Sequence, residues 1–100
     1  MKNFIEQLDK AFDNRVRLGI MSTLMVNDHV DFTTLKELLD LTDGNLASHL
    51  KALEKIQYIK IKKSFVDRKP NTKYMATEAG RKAFVRHLDA LEEIIKNQER

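Results

Sequence analysis

One hundred residues, 33% of them charged and 42% hydrophobic, make one domain with a single core and little apolar area to spare. The chain has no cysteine, no apolar run near the roughly 18 residues that span a bilayer, and an N-terminus, MKNFIEQLDK, without a signal-peptide hydrophobic region. No disulfide scaffold, membrane span or secretion is therefore expected, and the expectation is a soluble, cytoplasmic protein. The formal charge of +3 taken over the whole chain is weak evidence for a polyanionic partner.

Phe4, Ile5, Leu8 and Phe12 share one face of a short first helix, which Asp13 and Asn14 separate from the next as good capping residues. Residues 15–26, RVRLGIMSTLMV, are apolar nearly all round and predict a helix packed beneath the rest as scaffold. Met21 and Met25, like Met75, fill the core. Asn27, Asp28 and His29 form a turn. In LKELLDL a second short amphipathic helix follows, with Thr34 and Glu37 at capping-box spacing and Leu35, Leu38 and Leu39 apolar.

After a tight turn at 40–42 comes TDGNLASHLKALEKIQY. Thr42 is its predicted N-cap and Asp43 suits the helix dipole. Leu46, Leu50 and Leu53 form the inner stripe, and Gly44, Ser48, Lys51 and Lys55 fall opposite, flanked by Asn45 and Ala52. The two helices make a helix-turn-helix, although two neighbouring amphipathic helices occur in many small α domains. Residues 58–77, YIKIKKSFVDRKPNTKYMAT, then alternate β-branched or aromatic residues with lysine on either side of DRKPN, a predicted turn containing Pro70 and Asn71.

A basic β-hairpin directly after a helix-turn-helix is the layout of a winged helix. The stretch LTDGNLASHLKALEKIQYIKIKKSFVDRKPNTKYMATEAGRKAF resembles winged helix-turn-helix transcriptional regulators, the small single-domain branch related to the MarR and ArsR groups. The resemblance covers roughly residues 16–91. Its features are a leucine-threonine turn, a Ser-His-Leu helix, a basic wing, and a helix start with Thr77 and Gly80. It implies a mainly α fold with a small β-hairpin wing, flanked by N- and C-terminal dimerisation helices, and a short strand at 30–32 paired with the wing. The expected organisation is one DNA-binding domain over 1–100: helix-turn-helix about 34–57, wing about 58–77, C-terminal helix about 78–97.

Charge supports this layout. Residues 44–77 carry eight basic side chains against two acidic ones, a net of +6, whereas the residues before them sum to −3 and those after to zero. Alternating lysines can also be the solvated face of an edge hairpin. A DNA surface needs them contiguous with the outer face of the preceding helix, which Lys51 and Lys55 supply.

The expected recognition-helix contacts are Thr42, Asn45, Ser48, His49, Lys51 and Lys55, with Asn suited to adenine and Ser to several partners. His49 lies nearer the inner stripe; its alternative role is a boundary residue against the neighbouring helix, and the resemblance mainly carries it. The wing contributes Lys62, Lys63, Arg68, Lys69 and Lys73, with Arg68 and Lys69 at the tip. Thr77 caps the last helix. Phe84, Leu88, Leu91 and Ile95 then make a seam that, with Phe4, Leu8 and Phe12, predicts a homodimer interface.

No nucleophile with its base, carboxylate pair or phosphate-binding glycine loop is present, so no enzyme and no cofactor is expected. The histidines His29, His49 and His87 are scattered, His87 with Asp89 being the nearest approach to a metal pair. Without cysteine the thiolate sensor sites of ArsR-like repressors cannot exist. MarR-like proteins are usually longer, and the missing helical layer leaves a dedicated small-molecule effector pocket in doubt. The expected function is a sequence-specific double-stranded DNA-binding transcriptional regulator, a homodimer on a pseudo-palindromic operator. The alternative is a winged helix used as a protein-interaction module without specific DNA binding.

Overall fold

The computed structural model describes residues 4–98. Two 3₁₀ turns, Phe4–Gln7 and Lys10–Phe12, precede α1 (Arg15–Met25), β1 (Val30–Asp31), α2 (Phe32–Leu39), α3 (Asp43–Lys55), β2 (Ile59–Val66), β3 (Lys69–Ala76) and α4 (Glu78–Lys96). The strands form one antiparallel sheet in the order β1-β3-β2. This is a mostly helical winged helix with a hairpin wing.

Each helix starts on a side-chain oxygen that accepts otherwise orphaned backbone N–H groups. Asn14 accepts from Val16 and Arg17 at 2.9 and 3.1 Å, Asp31 from Thr34 at 2.8 Å, Thr42 from Asn45 at 3.2 Å, and Thr77 from Gly80 at 2.9 Å. The core lies where the helices meet the root of the hairpin. Ile20, Met21 and Leu24 of α1, Leu35 of α2, Leu46, Leu50 and Leu53 of α3, Ile59, Tyr74 and Phe84 are buried together. Each such side chain contributes about 1.5–3 kcal/mol by leaving water.

Three expectations need correction. The first helix is two 3₁₀ turns, because Asp9 interrupts the ladder: its N–H donates to Nδ1 of His87 at 3.0 Å, and its carboxylate accepts from the Ala11 N–H at 2.9 Å and the Tyr58 hydroxyl at 2.6 Å. A residue so committed to tertiary partners cannot continue an i→i−4 series. The second helix begins at Phe32 with Asp31 as its cap, so Thr34 lies inside the helix and the strand before it ends one residue early.

The third correction is the wing turn. Val66 pairs with Lys69, leaving Asp67 and Arg68 as a two-residue loop with φ of 51° and 66°, the type I′ geometry that suits strand twist. Lys69, Pro70 and Asn71 belong to β3. Pro70 pairs with Phe65 at the position next to the loop-closing pair. In an antiparallel ladder that position is non-hydrogen-bonded, so the proline nitrogen points to the open edge of β3, since β1 reaches only Lys73 and Tyr74.

Helix α3 joins the wing through a tight junction. Gln57 takes φ 64°, Tyr58 N–H donates back to the Leu53 carbonyl at 3.0 Å, and the Tyr58 carbonyl accepts from the Thr77 N–H at 3.0 Å. The Thr77 hydroxyl donates to the Gln57 carbonyl at 2.7 Å. A Cβ on Gly80 would lie 2.1 Å from the Tyr58 carbonyl oxygen, so only glycine lets α4 sit against this junction. The orientation of the wing relative to α3 is set here.

The described chain is elongated, 57 × 25 × 21 Å with a radius of gyration of 15.3 Å, against about 13 Å for a compact 100-residue domain.

Candidate nucleic-acid interface

The outer face of α3 is built as its spacing predicts. Leu46, Leu50 and Leu53 are buried, and Gly44, Asn45, Ser48, Lys51 and Lys55 are exposed. A Cβ on Gly44 would meet nothing within 4 Å, so the first turn of α3 has an open approach. Asp43, the acidic residue there, is paired with Lys36 of α2 at 2.8 Å, which offsets its charge beside an incoming anion. Thr42 spends its hydroxyl on the helix cap.

His49 is half-buried against α1, and its pKa is lowered first by burial and then by the Arg17 guanidinium. Both effects disfavour the cation. His49 thus lies at the boundary between α3 and Arg17 of α1.

Sequence reasoning missed the start of α1. Arg17 donates through Nε to the Ala11 carbonyl at 2.7 Å, which fixes its guanidinium near His49. Exposed Arg15 lines a shallow cleft with Asn45, Leu41 and Asp40. The available signal was an arginine pair directly after the capping Asn14. What the sequence could not show is that α1 brings this end beside the first turn of α3.

The wing cations do not form one face. Uninterrupted pairing from Ile59↔Ala76 to Val66↔Lys69 sends alternate residues to opposite sides. Ile59, Ile61, Lys63 and Phe65 project on the side of the core, with Tyr74, Thr72 and Pro70 opposite them. Lys60, Lys62, Lys69 and Lys73 project on the other side. Lys62 and Lys73 are direct cross-strand partners, an arrangement of like charges that opposes folding. Asp31, the partner of Lys73 across β1, offsets part of it; its pKa is lowered first by hydrogen bonding from Thr34, with Lys73 a smaller cause.

Among the described residues Lys51, Lys55, Lys62, Lys63, Arg68 and Lys69 form no salt bridge, while three acids are engaged by other lysines, Asp43 at the start of α3 by Lys36, Glu78 by Lys82 and Glu92 by Lys96. Those cations of α3 and the wing are thus not neutralised by ion pairs among the described residues.

The predicted assembly seam divides. Phe12 and Phe84 are each 3% exposed and pack edge to face at 5.1 Å, so they serve the core of their own chain. Leu88 is 43% and Ile95 61% exposed, with Phe4, Leu8 and Leu91 half-buried. His87 is buried, accepting from Asp9 and packed on the Phe12 ring, and Asp89 is exposed. Among the described residues no group of three or more His, Cys, Asp or Glu could hold a metal ion, and no helix is long and apolar enough to cross a membrane.

Comparison with known proteins agrees with this geometry. A family model described as a winged helix DNA-binding domain matches residues 16–95. An uncharacterized protein of Methanocaldococcus jannaschii is 38% identical over 90 residues, 90% of this chain and 98% of that one. The structure of a transcriptional regulator homologue from Pyrococcus horikoshii OT3 covers both chains completely, with TM-score 0.89 and 34% identity. Reduced AbfR bound to DNA shares the fold, with TM-score 0.74 and 18% identity over 90% of this chain and 62% of that one.

Proposed function

The chain belongs to the winged helix DNA-binding domain family, and from that premise we propose that it is a sequence-specific, double-stranded DNA-binding transcriptional regulator acting as a homodimer on a pseudo-palindromic site. The observation that carries the reading is the exposed, unneutralised face of α3, where Asn45, Ser48, Lys51 and Lys55 stand over a buried leucine stripe and continue into the basic wing. Short polar side chains near the N-terminal half of such a helix reach base edges in the major groove, while lysines meet phosphates. AbfR, a protein of the same fold, has been captured on DNA, which supports DNA as the partner.

Lysines on both sides of the hairpin suit a wing standing in a groove between two phosphate strands better than one lying flat. One recognition helix reads only a few base pairs, and a two-fold dimer would present two of them about 34 Å apart. Exposed Leu88 and Ile95, together with the elongated shape, supply the apolar face that such a dimer would cover.

Three measurements test the reading. Site selection from random duplexes by the full chain should yield a symmetric sequence, bound with an affinity that falls steeply with salt; salt-insensitive binding would favour a protein-interaction module. Replacing Asn45 and Ser48 together by alanine should erase the preference for the selected site. Light scattering should give about twice 11.7 kDa, falling to the single mass for Leu88→Glu with Ile95→Glu, because charges would be buried unpaired in the seam. A wild-type mass of 11.7 kDa refutes the dimer.

A further inference from the structure

The wing tip carries apolar surface that the hairpin itself does not need. Phe65 is 76% and Val66 50% exposed, and Pro70, the cross-strand partner of Phe65, is exposed beside it. Phe65 lies four residues, about 13 Å, beyond Ile61 on the same side of β2, well past the core. Directly across from it is Pro70, two residues back on the same side is Lys63, and Arg68 stands in the adjoining turn. An apolar protein surface would be a poor match for an aromatic ring set among unpaired cations, whereas a polyanion with an apolar interior fits both. The stacked bases of a DNA minor groove, walled by phosphates, have that composition.

We propose that Phe65, backed by Pro70, is a wedge that enters the minor groove and partly unstacks one base step, while Lys63 and Arg68 meet the flanking phosphates. The proposal rests on the DNA-binding reading above and adds a deformation that the α3 contacts alone do not require. Proline fixes its own φ and the two-residue turn closes the ladder at the next pair, so the ring is held on a stiff support. Apolar side chains inserted between base steps kink a duplex. Flexible pyrimidine–purine steps yield most easily, so the wedge would select sequence at a position where no base edge is read.

The test uses the full chain and the duplex that it selects from random DNA, with 2-aminopurine placed in turn at each base step beneath the wing. Wild-type protein should raise 2-aminopurine emission at one step, which reports unstacking. Phe65→Ala should abolish that rise and weaken binding about tenfold, the equivalent of leaving one aromatic side chain in water, with the salt slope unchanged because every phosphate keeps its cation. Phe65→Leu should retain most of both signals. Since Phe65 is exposed, unchanged circular dichroism is expected for both variants. A Phe65→Ala protein that binds and unstacks like wild type overturns the wedge and leaves DNA binding standing. A wild-type chain that selects no duplex overturns the wedge together with the reading beneath it.

Discussion

The two ends of one hairpin have been put to opposite uses. At the root, Ile59, Ile61, Tyr74 and Ala76 pack into the core, and the Tyr58 carbonyl is clamped between Thr77 and the first turn of α4. At the tip the same alternation places Lys63, Phe65 and Pro70 on the core side of the sheet and Lys62 and Lys69 on the other, all in solvent, around a turn whose two residues both have positive φ. The difference teaches that strand periodicity specifies which side a residue occupies and says nothing of what meets it. Substitutions at the root should act on stability, and those at the tip on binding.

The sharpest way to break that contrast is at the root. Gly80→Ala would drive a Cβ into the Tyr58 carbonyl, and with backbone on both sides the clash cannot be relieved by a rotamer change. Overpacking of this kind should cost about 3 kcal/mol, measured as a fall in urea midpoint. A loss under about 0.5 kcal/mol, the range of an ordinary surface change, would show that the junction is not rigid.

A smaller effect is expected at Tyr58, whose hydroxyl is pushed up to about 12 from 10.0, first by its hydrogen bond to Asp9 and then by burial. A pKa raised by folding means that the stabilisation is fully present below pH 10 and disappears as pH rises through about 12, because the unfolded chain then releases the proton more readily. Tyr58→Phe should lower stability at neutral pH by about 1 kcal/mol and remove this alkaline loss between pH 10 and 12. Parallel pH profiles for the two proteins would assign the hydrogen bond no energetic role.

At the tip the sign should reverse. Arg68 holds φ 66°, a conformation that costs a non-glycine residue about 1 kcal/mol, so Arg68→Gly should stabilise the fold by roughly that amount. The same substitution should weaken DNA binding and reduce the salt slope by about 0.9, the change expected when one phosphate is left without its cation. A protein stabilised without any change in slope would place the turn away from the duplex.

The smallest expected effect is at the facing lysines. Lys62→Gln should relieve the cross-strand repulsion with Lys73 and stabilise by a few tenths of a kcal/mol, while lowering affinity for every duplex alike. Selective weakening for one sequence would mean that Lys62 reads bases.

Local chemistry determined much of this molecule. The leucine stripe of α3, the caps Asn14, Thr42 and Thr77, and the hairpin that follows could be read directly, because each depends on residues within a turn or a strand of one another. The face that opposes the stripe followed from the same 3.6-residue period. Tertiary structure decided the rest. Asp9 broke the first helix because its partners, Tyr58 and His87, lie 49 and 78 residues away, beyond any local pattern. Pro70 looked like a turn residue until pairing with Phe65 put its missing N–H on an open edge. Arg15 and Arg17 reached α3 only through the packing of α1 on it, and Phe84 left the exposed seam because Phe12 packed edge to face on it. Local propensity fixes how a segment winds, but which of its faces stays in water depends on contacts whose geometry exists only once distant parts of the chain have met.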